Sequence, residues 1–154
     1  MARVTGFFGK IPTSGDFVAR GLPVGIKPVL DRWLTKHLIQ FSREPKRWPS
    51  DGVRSIWDAN GRGSFPLLIL PSHDAAGRHF PLVFCADSEN TDQHSIDIWA
   101  NAIIDCTDLS QTADQIAMAV QKVARPAPST LPLIAPSFWT GNQRSTNVEQ
   151  LFNH

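Results

Sequence analysis

With 154 residues, 42% of them apolar and 15 basic groups set against 14 acidic ones, the sequence reads as one globular domain and excludes a disordered chain. A net charge of +1 offers no electrostatic footprint for nucleic acid or an anionic membrane. No run approaches the ~20 apolar residues of a membrane span, MARVTGFFGK lacks a signal-peptide core, and two cysteines make no disulfide framework, so a soluble cytoplasmic protein is expected.

Val4–Lys10 reads as a first strand, in which Gly6 and Gly9 mark a bulge or the close approach of another backbone. Pro12-Thr13-Ser14-Gly15-Asp16 is turn chemistry, and Phe17–Gly21 fits either a short strand or a turn of helix. A helix is predicted over Ile26–Ser42, with Pro28 in its first turn and Leu30, Trp33, Leu34, Leu38 and Phe41 on one face. Glu44-Pro45 ends it. In the loop that follows, Trp48 is expected to be exposed, as an interface anchor.

Val53–Ala59 alternates around Ile56 and Trp57 and is turned by Asn60–Ser64 into the next strand. Phe65–Leu70 and Phe80–Ala86 are apolar at nearly every position, the pattern of strands covered on both faces. Phe65, Leu67 and Ile69 should share one side and Leu68 and Leu70 the other. In the second strand, Phe80, Leu82 and Phe84 should oppose Val83 and Cys85. The linker Pro71–Arg78 suits an antiparallel hairpin and is too short for a parallel crossover.

A second helix is predicted over Gln93–Cys106, with Ile96, Trp99, Ile103 and Cys106 on one face. A third runs to about Ala124, its stripe being Ala113, Ile116, Val120 and Val123; Asp108 and Gln111 precede it at capping-box spacing. The proline-rich remainder reaches Ser137–Gly141, a short edge strand, then a polar loop over Gly141–Thr146 and a short helix or tail at Val148–Phe152. The expected architecture is α/β: a three-layer sandwich, its mixed, mostly antiparallel sheet carrying helices on both faces.

Short motifs that suggest chemistry fail on their spacing. Gly6-Phe7-Phe8-Gly9-Lys10 is not a phosphate loop, since the first glycine would fall on Val4 and the hydroxyl on Ile11. Ser72, His73, Asp74 and His79 share a loop, but neighbours in sequence rarely converge as nucleophile, base and orienting acid, and no nucleophile-elbow motif is present. His73, Asp74 and His79 match no zinc pattern. Ser72 and Asp74 are better read as turn residues that bond to backbone. What remains is charge beside apolar strands: Lys10, Asp16 and Arg20 in one turn, and Ser72, Asp74 and Arg78 in another. Such groups brace strand ends by charge-assisted hydrogen bonds or form a recognition surface.

These residues also carry a resemblance. Gly6-Phe7-Phe8-Gly9-Lys10-x-Pro12-x-x-Gly15-Asp16-Phe17-x-x-Arg20-Gly21-Leu22-Pro23, followed by Asp31-x-Trp33-Leu34, resembles the N-terminal signature of the TagF (ImpM) proteins of bacterial type VI secretion. Pro71-Ser72-x-Asp74-x-x-Gly77-Arg78-x-Phe80-Pro81-Leu82 is similar to that family's second signature, and Ser137-Phe138-Trp139 with Gly141 to its C-terminal one. The resemblance implies a mixed sheet between helical layers and a cytoplasmic accessory protein that represses type VI secretion after translation. It implies repression by binding a forkhead-associated (FHA) domain scaffold, without catalysis, cofactor or metal. Some family members carry a PP2C-type phosphatase domain, for which 154 residues leave no room. Two other readings stand beside it: a small-molecule or phosphate-binding enzyme using the turns Lys10–Arg20 and Ser72–Arg78, and a structural subunit of the secretion machine. Neither nucleic-acid binding nor membrane insertion is expected.

Overall fold

The computed structural model describes residues 5–141 and 143–152; Val4, expected to open the first strand, lies outside them. Seven strands form one sheet: β1 (Thr5–Gly9), β2 (Val18–Arg20), β3 (Val53–Asp58), β4 (Ser64–Leu70), β5 (Leu82–Ala86), β6 (Ser137–Thr140) and β7 (Gln143–Ser145). Their order is β2-β1-β5-β4-β3-β6-β7. Three α-helices accompany them: α1 (Ile26–His37), α2 (Gln93–Cys106) and α3 (Ala113–Val120). Every pairing in this sheet is antiparallel, which corrects the expectation of a mixed one. The helical excursions return the chain beside an oppositely running strand instead of crossing over to a parallel one.

The meander β3-β4-β5 forms as the apolar pattern predicts, and β4 is the middle strand of the seven. Its alternation sorts residues between two apolar clusters. Phe65, Leu67 and Ile69 pack in one with Ile26, Leu30 and Leu34 of α1 and with Leu38 at its C-cap. Leu68 lies in the other with Ile96, Trp99 and Ile103 of α2 and Ile116 and Val120 of α3, and the partly buried Leu70 packs against it. Each fully buried side chain contributes about 1.5–3 kcal/mol, so the strand is held from both directions.

Phe80 departs from its expected face. It packs with Val83 and Cys85, while Leu82 and Phe84 belong to the opposite cluster. The strand starts only at Leu82; Phe80 N–H donates to the Ser72 carbonyl, and Pro81 interrupts the regular ladder, so alternation does not extend back through it.

The helix boundaries follow local capping. α1 gives way to a 3-10 turn at Ile39–Phe41 that carries its stripe on to buried Phe41. Asp92 caps α2 by accepting from Ser95 N–H at 2.8 Å. The capping box of α3 is Thr112 with Gln115, one turn later than the expected Asp108 and Gln111. Asp108 instead accepts from the backbone and hydroxyl of Ser110. The helix closes at Val120, short of Ala124, and passes into turns.

β6 lies between β3 and β7, so it is interior, and the expected polar loop contains the edge strand β7. Beyond it, a 3-10 turn at Val148–Phe152 folds back on the segment that follows α1: Phe152 stacks on Phe41 with centroids 4.3 Å apart and meets Trp48 edge-on. Trp48 is therefore buried and not an exposed anchor; its indole N–H donates to the Phe41 carbonyl at 3.0 Å.

Candidate functional site: two turns closed on a buried aspartate

At the end of the sheet where β1 leaves and β5 enters, the chain needs two backbones closer than side chains allow. There a Cβ on Gly9, at φ 141, would overlap the Pro81 carbonyl oxygen; toward the other end of β1, one on Gly6 would meet the Gly21 backbone at 2.5 Å. Both glycines thus mark close approach. The approach at Gly9 brings the turn after β1 against the β4–β5 hairpin.

Asp74 is the centre of the contact and is wholly buried. Its Oδ1 accepts from the backbone N–H groups of Ala76 at 2.9 Å and Arg78 at 3.0 Å. Its Oδ2 accepts from Arg78 Nε at 2.8 Å and pairs with Lys10 Nζ at 3.0 Å. The first pair of bonds shapes the hairpin; the Lys10 pair crosses to the other turn. Three more contacts join the two segments. Ser72 Oγ donates to the Lys10 carbonyl at 2.7 Å, Ala75 N–H to the Ser14 carbonyl at 2.8 Å, and Arg78 Nη2 to the Gly15 carbonyl at 2.9 Å.

Burial alone would raise the Asp74 pKa. The Arg78 N–H, the Lys10 ammonium, the Ala76 N–H and the Arg78 guanidinium override it and hold the carboxyl far below the usual carboxylate range. Lys10 is itself nearly buried, and its ammonium stands 4.9 Å from the centroid of the Phe17 ring. Phe17 stacks on Phe8 and meets Phe80 edge-on, yet remains 44% exposed. Arg78 is 65% exposed at its side chain. An aromatic and a guanidinium are thus displayed on a fixed ionic base.

Of the six charged and polar residues singled out in the sequence, Lys10, Ser72, Asp74 and Arg78 come together here. Asp16 sits in the same turn but is exposed, and its carboxylate accepts from Phe17 N–H. Arg20 points elsewhere: its Nε pairs with Asp114 in the first turn of α3 at 3.0 Å. The Ser14 and Gly15 carbonyls were missed as members because backbone acceptors leave no mark in residue identity, and the Phe17 ring because only the fold brings it over Lys10. Both Asp74 oxygens are engaged twice and the Ser72 hydroxyl is bound to a carbonyl, so the cluster braces and displays. Among the described residues, no group of three or more His, Cys, Asp or Glu is placed to hold a metal ion, and no helix is long and apolar enough to cross a membrane.

The family model for the TagF N-terminal domain, type VI secretion system-associated, matches residues 6–131, a span that includes every residue of the cluster. The chain belongs to the TagF family. Among solved structures, this TagF domain is similar to PA0076 from Pseudomonas aeruginosa PAO1, at 27% identity and a TM-score of 0.61, over 96% of this chain and 74% of that one. No curated relative matches it. Within that span the turns Lys10–Phe17 and Ser72–Arg78, far apart in sequence, meet in one place.

Proposed function

We propose that this TagF-family chain is a non-catalytic, cytoplasmic repressor of type VI secretion that acts by binding a component of the system, an FHA-domain scaffold being the partner. The whole chain serves as one domain, its two apolar clusters forming the interfaces of a three-layer sandwich. Family membership supports the association with secretion. The observation that carries the binding role is the Asp74 cluster: its acid is saturated by donors, while Phe17 and Arg78 stand exposed above it. Aromatic and arginine side chains held on a rigid support are the groups that dominate protein interfaces.

Arg78→Glu and Asp16→Lys test this by pull-down of the FHA-domain scaffold, with thermal melting as the control for folding. Reduced capture by folded variants is the expected result; unchanged affinity removes the turns from the interface. A thermal-shift screen with nucleotides and phosphates tests the enzyme reading, since any true ligand of the native state raises apparent stability by mass action. No rise is expected.

A further inference from the structure

The far end of the sheet holds a second feature that neither signature explains. Antiparallel pairing sets Val53 opposite Ile69 near the hairpin and Asp58 opposite Ser64 at the other extremity, so Asp58 marks the pole remote from Asp74. There a cleft of about 370 Å³ opens between α1, the end of β3 and the C-terminal 3-10 turn. Its walls include Trp33, Trp57 and Phe138, with Trp33 stacked on Phe138 at 5.5 Å and set edge-on to Trp57 at 6.0 Å. Its charged lining is Asp58 and Glu149, with no lysine or arginine. Glu149 is held by His37 Nδ1 at 2.6 Å, whereas the exposed Asp58 carboxylate has no hydrogen-bond or ion-pair partner among the described residues.

We propose that this cleft receives one basic side chain, arginine or lysine, from a segment of a partner polypeptide. The open Asp58 carboxylate, with the His37-bound Glu149 beside it and aromatic walls around it, is complementary to a guanidinium or ammonium group. The indole N–H of Trp57, a wall residue, is buried and unpartnered among the described residues, so recognition rests on the open Asp58 carboxylate and the aromatic faces. An adjoining cavity of about 500 Å³ shares Trp33, His37, Trp57 and Asp58 but is bordered by Arg32 and Lys36. Those two cations exclude a run of basic residues and limit the occupant to a single one. This surface is independent of the Asp74 cluster and of the scaffold assigned to it.

The test is a heteronuclear NMR titration of the full chain with N-acetyl-arginine N-methylamide, its uncharged citrulline counterpart and spermidine, following the indole N–H signals of Trp33 and Trp57. Saturable shifts with the arginine probe are expected, with the citrulline and spermidine probes weaker. Asp58→Asn should weaken the arginine probe by about fivefold, and Glu149→Gln by a similar factor, while the melting temperature of Asp58→Asn stays put. Equal shifts from arginine and citrulline probes, or an Asp58→Asn variant that binds as before, overturn the proposal. Spermidine binding as tightly as the arginine probe would make this a small-amine site and overturn the polypeptide assignment.

Discussion

The two poles of the sheet treat charge in opposite ways. At one, Asp74 is buried and each carboxylate oxygen is engaged by two donors. At the other, Asp58 is exposed and unpartnered among the described residues, and an indole N–H beside it is unsatisfied. A buried charge is tolerated only when its partners are all present, so the first pole is rigid and its loss is costly. An unmet charge at the surface costs little to keep and is free to meet a partner. The two poles thus differ in how far each acid is satisfied.

The sharpest way to break the first pole is steric. Gly9→Ala places a methyl group on the Pro81 carbonyl at a φ that suits only glycine, and should cost more than about 3 kcal/mol or prevent folding, as read by urea unfolding. Next comes Asp74→Asn, which strips a nearly buried Lys10 of its counter-charge; its melting temperature should fall further than that of any surface change proposed here. The same group predicts an acid response. Its folded pKa lies below the unfolded value, so its stabilisation is complete above about pH 4 and is lost as pH falls further, toward the folded pKa. The gap in melting temperature between native chain and Asp74→Asn should therefore narrow in acid; a gap that widens contradicts the assignment.

Thr112→Ala removes the cap of α3, whose first turn supplies Asp114 to Arg20, and should cost about 1 kcal/mol by denaturant titration. Asp58→Asn, at the other pole, should change stability by less than about 0.5 kcal/mol. If instead it destabilises the chain strongly, the contrast between the poles collapses.

Much of this was legible in the residues. The meander announced itself because β4 and β5 are apolar on both faces, and the Asp74 cluster because charged turn residues flank those strands. What sequence reasoning missed has physical causes. Phe80 fell on the wrong face because alternation was extended through Pro81, where the strand has not begun. Trp48 reads as exposed from its place in a loop, yet Phe152, over a hundred residues on, covers it. Arg20 was grouped with its sequence neighbours, and tertiary packing gave it Asp114 instead. The far cleft left no local signal at all, since Trp33, Asp58 and Glu149 come from separate elements and meet only in the folded chain.

The sheet order also has a bearing on biosynthesis. β1 is made first, but apart from the three-residue β2 its neighbour is β5, whose residues follow it by more than seventy positions. Phe7 and Phe8 therefore emerge from the ribosome long before the strand that shelters them, and ring closure over that distance sets a floor on how soon the N-terminal half can settle. A nascent chain halted before Leu82 should present those two rings to any chaperone waiting at the exit tunnel.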